Sequence, residues 1–272
     1  MNILEASFLG VLQGVTEFLP MSSSGHLVLG QHIFGLREPQ LFFDVAVHVG
    51  TLVAVIIVFR KDILGILKEC LSIFGNRTIA NSSLSDAEPE DYLRLTKMVL
   101  LGTIPTALIG LIFRDTIEYL FASPKAVGLG LLATGLLLLC TRQPRGLQTN
   151  TKKPGLVDAI LVGFAQGVAI IPGVSRSGST ISTGLLRGLK PEMAYRFSFL
   201  LSIPAIVAAL GLEVVKSAGN YPQWQVLAVG CISACLVGWI ALRALLALVG
   251  QGKLFWFAPY CFSVGTLAII LL

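Results

Sequence analysis

Gln13 to His26 reads QGVTEFLPMSSSGH, a carboxylate, three serines and an imidazole set inside an otherwise apolar N-terminal region. A shift of 153 residues lays Gln13-Gly14-Val15 on Gln166-Gly167-Val168, and Ser22-Ser23-Ser24-Gly25 on Ser175-Arg176-Ser177-Gly178. Two matches at one offset, with no gap between them, point to an internal repeat that delivers one active site in two halves.

The surroundings of these motifs set the solvent. The chain has 272 residues, 54% hydrophobic and 13% charged, whereas a soluble globular protein carries about 25% charged residues. An integral membrane protein is expected. Its Leu-, Val-, Ile-, Gly- and Ala-rich runs do not alternate as barrel strands do, so the fold class is all-α. The N-terminus lacks a basic n-region and its apolar run leads straight into the polar cluster, so no cleavable signal peptide is expected. The five cysteines (70, 140, 231, 235 and 261) have no metal-ligand spacing and read as core-filling residues. A net charge of +5 suits anionic lipid head groups and a phosphate-bearing substrate. The basic residues lie in loops beside apolar runs, which excludes a nucleic-acid partner.

Runs near 20 apolar residues can span a bilayer, and six are found, at roughly 41–59, 96–113, 125–140, 194–215, 225–248 and 254–272. Residues 2–34 and 156–188 are also apolar, but proline, glycine and serine break each midway. Their halves are too short to cross, so each reads as a re-entrant helical hairpin, the usual pointer to a binding site in a repeat protein. The expected architecture is a single membrane domain, 1–272. It has six transmembrane helices plus two re-entrant hairpins in an inverted-topology repeat. Repeat 1 covers about 1–141 (hairpin 2–34, polar cytoplasmic loop 60–95), and repeat 2 about 155–272 (hairpin 156–188). Three spans per repeat is an odd number, which inverts the second copy.

Lys and Arg set the orientation. Fifteen fall in the segments 60–97, 142–153, 187–196 and the last loop, against four (Arg37, Arg114, Lys125, Lys216) on the other side. Both termini and the first hairpin are therefore expected to face outward. In the polar insertion 75–92, Asp86, Glu88, Glu90 and Asp91 form a solvated loop or, alternatively, a cation site.

Gln13 and Glu17 are four residues apart and share a helix face. A carboxylate at membrane depth is costly and marks a functional site. Pro20 ends the first half-helix, and Ser22, Ser23 or Ser24 caps the second. Free N–H groups, hydroxyls and the flexible Gly25 make that start an anion site, with His26 able to exchange protons nearby. In the second copy Glu17 becomes Ile170, Ser23 becomes Arg176 and His26 becomes Ser179. One copy thus brings acid, base and hydroxyl. The other brings a guanidinium suited to phosphate, on a Ser175-Ser177-Gly178 turn. Asp44 and His48 are also four apart and either support the site or face the outer surface. His32 reads as interfacial.

QGVTEFLPMSSSGH together with PGVSRSGST resembles the undecaprenyl-diphosphatase family of bacterial membranes, the bacitracin-resistance type, over essentially the whole chain. The resemblance implies hydrolysis of undecaprenyl diphosphate to undecaprenyl phosphate plus phosphate. That reaction recycles the lipid carrier for cell-wall synthesis and confers bacitracin resistance. The family's acidic motif falls on Gln13 and Glu17, its serine on Ser23, its histidine on His26 and its arginine on Arg176. This chain has the Gln form of the acidic motif, leaving Glu17 as its one carboxylate. The implied catalytic set is Glu17, Ser23, His26 and Arg176. Ser22, Ser24, Gly25, Ser175, Ser177 and Gly178 join Arg176 on the phosphates. Glu17 and Gln13 are the candidate ligands for a divalent cation, Mg2+ or Ca2+, and Asp44 and His48 stand behind them. Ser23 either attacks phosphorus itself or binds phosphate while water attacks, and His26 protonates the leaving group or activates Ser23. The implied partners are the polyprenyl diphosphate and membrane lipids, with room for a homodimer. Bacitracin would compete for the substrate rather than bind the protein, in the bacterial inner membrane. The competing class is an alternating-access transporter or flippase for a lipid phosphate or small anion, to which paired broken helices are equally suited.

Overall fold

An apolar chain in lipid must satisfy its own backbone, and uninterrupted Leu/Val/Ile/Ala runs do so as helices. The computed structural model describes residues 1–36, 40–74, 89–142, 154–216, 223–249 and 253–272. Among these the chain forms only helices and turns. They are α1 (Ile3–Phe18), α2 (Ser23–Ile33), α3 (Leu41–Val58), α4 (Arg60–Phe74), α5 (Pro89–Ile112) and α6 (Arg114–Phe121), then α7 (Pro124–Cys140), α8 (Leu156–Val168), α9 (Arg176–Leu186), α10 (Pro191–Lys216), α11 (Trp224–Val249) and α12 (Ala258–Leu271). The chain is thus all-α. Five helices are long and apolar enough to cross a membrane, or up to six when α6 and α7, bent by 103°, count as one.

The 153-residue offset of the sequence recurs in the helix ends. Shifting α2 by 153 residues reproduces the bounds of α9. Asn2 caps α1 in a box with Glu5; at the shifted positions, the Asp158 carboxylate accepts from the Gly155 N–H at 3.0 Å. Ser22 Oγ accepts from Gly25 N at 3.2 Å, and Ser175 Oγ from Gly178 N at 3.0 Å. By its rise of about 1.5 Å per residue, α1 is roughly 24 Å long and α8 roughly 20 Å. Neither reaches the roughly 30 Å of a hydrocarbon core alone.

Helices of the first half pack on helices of the second. α1 packs on α11 and α8 packs on α5, while α7 meets α12 directly. Both exchanged crossings are backbone on backbone. A Cβ on Gly10 would strike the Gly230 carbonyl, and one on Gly163 would strike the Gly102 carbonyl. Gly10 and Gly163 are again 153 apart. Behind the crossings, Phe18, Phe59, Phe197, Phe199, Leu138 and Leu201 form the main core, and Phe18 meets Phe199 edge-on at 5.6 Å.

The segment expected as a polar loop over 60–95 is helical through residue 74. α4 is amphipathic: Ile63 and Ile66 pack on the main core, Gly65 lies against the Tyr92 ring, and Asp62 pairs with Arg196 of α10. The charges in this stretch hid that apolar face. The acidic cluster Asp86, Glu88, Glu90 and Asp91 falls on residues or side chains outside the described ones. The span expected at 125–140 is α7, 17 residues started by the Ser123 cap and Pro124, with α6 as an unforeseen bent preface. α5 and α10 carry Pro105 and Pro204 mid-helix, where a lost N–H favours a bend. Both helices border the site.

Candidate active site

The turns at the ends of α1 and α8 touch each other, and they do so reciprocally. A Cβ on Gly25 would lie 3.0 Å from the Gly173 Cα, and one on Gly178 would lie 3.3 Å from the Pro20 Cβ. Gly173 is Pro20 shifted by 153, as Gly178 is Gly25, so one contact is made twice. The backbone beneath is pinned by exchanged helices too. Thr134 Oγ1 of α7 donates to the Gly173 carbonyl at 3.0 Å and accepts from Ser175 N at 2.9 Å. Cys261 Sγ of α12 donates to the Pro20 carbonyl at 3.7 Å. Ser22, at the first tip, has φ +67°, the left-handed region that costs a non-glycine residue about 1–3 kcal/mol. Such strain persists where surrounding contacts fix it, commonly at active sites.

Across this contact lies an ion pair. Arg176 Nη2, on the first residue of α9, donates to Glu17 Oε1 near the end of α1. Ser23 Oγ donates to Glu17 Oε2, which also accepts from Gln13 Nε2 at 2.9 Å. His48 Nε2 stands 3.5 Å from the same oxygen. The His48 Nδ1–H donates to the Asp44 carbonyl at 2.6 Å, which turns Nε2 toward Glu17. The Glu17 side chain is only 3% exposed and that of Arg176 18%. A buried charge is tolerated only when paired and hydrogen-bonded, and here every polar neighbour of Glu17 supplies that compensation. Three polar atoms around it are buried with no partner among the described residues: Arg176 Nη1, Gln13 Oε1 and Gln166 Oε1.

Glu17, Ser23, Ser24, His48, Gln166 and Arg176 line the end of a cavity of about 750 Å3 that continues between α3, α5, α6 and α10. Asp44 lines it too, accepting from Gln31 Nε2 at 2.6 Å. The walls beyond are chiefly Leu, Ile, Val and Ala. A polar end and a long apolar body fit an amphiphile with an anionic head.

The other predicted residues separate into those at the tips and one turned away. Ser22 and Ser175 cap their helices, and each reaches the serine two positions on: Ser22 to Ser24 at 3.4 Å, Ser175 to Ser177 at 3.3 Å. Ser177 Oγ also donates to the Leu19 carbonyl at 3.3 Å, tying the two tips. His26 is not directed at Glu17. Its Nδ1–H donates to the Ser22 carbonyl at 2.7 Å and its Nε2 accepts from the Tyr260 hydroxyl at 2.7 Å; the two rings stack at 5.7 Å. The i,i+4 geometry along α2 sends this ring toward α12, and the imidazole beside Glu17 is that of His48 of α3. Sequence reading missed Tyr260, Thr134 and Thr106. Thr106 Oγ1 donates to the Gly163 carbonyl at 2.8 Å and accepts from Gln166 Nε2 at 3.3 Å. Each is an uncharged polar residue in a largely apolar run, and only spatial pairing gives it meaning.

No cluster of three or more His, Cys, Asp or Glu side chains suited to a metal occurs among the described residues. The one carboxylate at the tip and the unpartnered Gln13 Oε1 are hard oxygen donors. They suit a cation shared with a ligand's phosphates rather than one caged by protein alone.

The chain matches the family described as Bacitracin resistance protein BacA over residues 6–267. It is similar to proteins named undecaprenyl-diphosphatase. That of Desulfatibacillum aliphaticivorans is 46% identical over 272 residues, 99% of each chain. That of Carboxydothermus hydrogenoformans is 43% identical over 276 residues, covering 100% of this chain and 98% of the relative. That of Methanosphaera stadtmanae is 39% identical over 272 residues, covering 100% and 98%.

Proposed function

This chain belongs to the Bacitracin resistance protein BacA family, and on that premise we infer that it is a multi-pass membrane hydrolase removing a phosphate from undecaprenyl diphosphate, the substrate its relatives' name carries. The observation that carries the reading is the tip contact itself. Arg176 of one hairpin and Glu17 with Ser23 of the other meet at the polar end of an apolar cavity. The diphosphate head occupies that end and the prenyl tail lies along the apolar walls, leaving sideways into the bilayer. The product serves as lipid carrier for cell-wall synthesis, and its regeneration underlies bacitracin resistance. Bacitracin itself competes for the lipid rather than for this protein.

The arrangement also assigns chemistry. Phosphoryl transfer needs positioning and compensation of charge on the transferred group more than covalent help. Arg176 supplies this through Nη1 and, once Glu17 is displaced onto its other partners, through Nη2. The N-termini of α2 and α9, with Ser22, Ser24, Gly25, Ser175, Ser177 and Gly178, hold the bridging and inner phosphate oxygens. Glu17 Oε2 receives the proton of whichever oxygen attacks. In one route that oxygen is Ser23 Oγ, already donating to it; undecaprenyl phosphate leaves, and a water then displaces the phosphoryl group from Ser23 as free phosphate while Ser23 Oγ regains its proton from Glu17. In the other a water takes that position from the start and Ser23 only binds phosphate. The leaving group is a phosphate monoester, stable as an anion, so His26 need not protonate it. Its bonds to Ser22 and Tyr260 make it a positioning residue for the first tip. A Mg2+ or Ca2+ ion brought on the diphosphate would bind at Glu17 and Gln13 Oε1 and supply further charge compensation.

We place the protein in the bacterial inner membrane as an inverted-topology repeat, 1–141 and 155–272. Six spans and the hairpins 2–34 and 156–188 make up the two copies. The lysine and arginine distribution supports termini and site facing outward. The exchanged crossings at Gly10 and Gly163 support the repeat. The alternative, a carrier for a lipid phosphate, is separated by turnover. Purified protein in detergent should release inorganic phosphate from undecaprenyl diphosphate, with Glu17→Ala and Arg176→Ala as inactive controls. Absence of release by the wild type would favour the carrier.

A further inference from the structure

Away from the tips, the charged and acidic lining of the cavity among the described residues is Asp44, Arg114, Glu118 and Glu213, with Lys216 held against Glu118 at 2.6 Å. Charge interactions are strong in a low-dielectric channel. A diphosphate moving along such a channel is helped by a cation before it reaches the tips.

Arg114 stands where that cation is required. Thr106 of α5 is level with Gln166 of the second tip, to which it is hydrogen-bonded. Gly110 follows one turn on in α5, Arg114 opens α6 just past its end, and both line the same cavity. Eight residues at a helical rise place Arg114 roughly 12 Å from that level, toward the far end. Its side chain is 41% exposed and also lines the cavity.

In the empty cavity Arg114 is held by Glu118. Arg114 Nε lies 3.3 Å from Glu118 Oε1, whereas Lys216 Nζ of α10 lies 2.6 Å from Glu118 Oε2. The contact to Arg114 is the weaker of the two. When an anion takes Arg114, Glu118 keeps Lys216 and no charge is stranded. Because the guanidinium touches Glu118 through Nε, its Nη edge can fork onto two phosphate oxygens. The deep station repeats this device, with Glu17 holding Arg176.

We propose that Arg114 is a capture site for the diphosphate head at the cavity mouth, with Glu118 as its exchangeable counter-ion and Lys216 as the residue that retains Glu118 during exchange. The inference rests on reading the cavity as the route of a diphosphate lipid. Arg114 binds the head group first, and Arg176 receives it for reaction.

Two measurements on purified full-length protein test this. In the first, phosphate release from undecaprenyl diphosphate is followed for the wild type, Arg114→Gln, Arg114→Lys and Glu118→Gln. Arg114→Gln should raise KM about tenfold with kcat within twofold, Arg114→Lys should recover part of that loss, and Glu118→Gln should lower KM two- to fivefold. A KM unmoved by Arg114→Gln would overturn the proposal. So would a rise in KM for Glu118→Gln as large as that for Arg114→Gln, because the trio would then be only a structural tie. In the second, calorimetric binding of a farnesyl methylene-bisphosphonate, which cannot be hydrolysed, should weaken about tenfold in Arg114→Gln; equal affinity refutes the capture site. If wild type binds this probe through Arg114 yet releases no phosphate, the capture site stands and hydrolysis falls. Matching thermal unfolding of the variants shows that they are folded.

Discussion

Arg176 and Glu17, 159 positions apart in the chain, form a buried ion pair that exists only because two helix-turn-helix tips touch. The pair has opposite consequences for stability and catalysis, which can be separated. Removing one partner strands a buried charge and costs about 3–5 kcal/mol, whereas removing both can be nearly neutral. Arg176→Ala and Glu17→Ala should each lower the unfolding temperature in detergent, and the double variant should recover most of that loss. All three should lose turnover by at least about 10²-fold, the usual effect of removing one oxyanion-stabilising donor. A double variant as unstable as the sum of the singles would show that the pair is not coupled.

Ser23 donates to Glu17 rather than accepting from it, so its oxygen is the one whose proton has somewhere to go. Ser23→Ala should reduce phosphate release by about 10²-fold or more, in line with the loss of a positioned proton-transfer pair. Acid quenching of the wild type during turnover separates the two routes. Phosphate recovered on the peptide containing Ser23 assigns it as nucleophile; an unmodified peptide at comparable turnover assigns the attack to water.

The orientation proposed from arginine and lysine placement, with the first hairpin at the outer face, is open to direct test. With Cys70, Cys140, Cys231, Cys235 and Cys261 replaced, a single cysteine introduced at position 23 should react with an impermeant maleimide added outside intact cells. Reaction only in inverted vesicles would reverse the topology.

The glycine crossings predict matched effects from unmatched sequence positions. Gly10→Val and Gly163→Val would each push a side chain into a facing carbonyl, of Gly230 and Gly102 respectively. Both should depress the yield of folded protein to a similar degree. Gly211 of α10 has open space around it, and Gly211→Ala should be stabilising by about 0.5–1 kcal/mol, the helix-propensity difference. Equal tolerance at all three positions would mean the helices are not in backbone contact.

Much of this geometry is legible without coordinates, because it follows from the 153-residue offset. The offset locates the two tips, and the divergence at Glu17/Ile170 and Ser23/Arg176 states which copy carries which group. What the offset does not show is the exchange of partners. That α1 crosses α11 and α8 crosses α5 depends on glycines whose facing glycines lie in other helices. The direction of a side chain around its helix is not in the offset either. His26 and His48 are each one turn beyond a polar neighbour, and sequence spacing ranks the one in the motif first. The rotation of α2 against α12 gives His26 to Tyr260 and leaves His48 beside Glu17. α4 was hidden for a different reason: its charges share a helix with Ile63 and Ile66, so composition reads as loop where periodicity is helical.

Gln13 stands where the acidic motif can carry a second carboxylate, and its Oε1 is buried without a partner. If that oxygen and Glu17 together serve a cation shared with the diphosphate, the protein holds it by one formal charge, and weakly. EDTA should then cut phosphate release at least tenfold, with Mg2+ or Ca2+ restoring it. Gln13→Glu should add a carboxylate to the same position and lower the half-saturating cation concentration severalfold, since charge count tunes affinity at oxygen sites. The added charge also sits against Glu17, so the same variant should lose stability in EDTA and regain it with the cation. Full activity in EDTA, with no gain of cation affinity in Gln13→Glu, would leave Arg176 and the helix N-termini as the whole of the charge compensation.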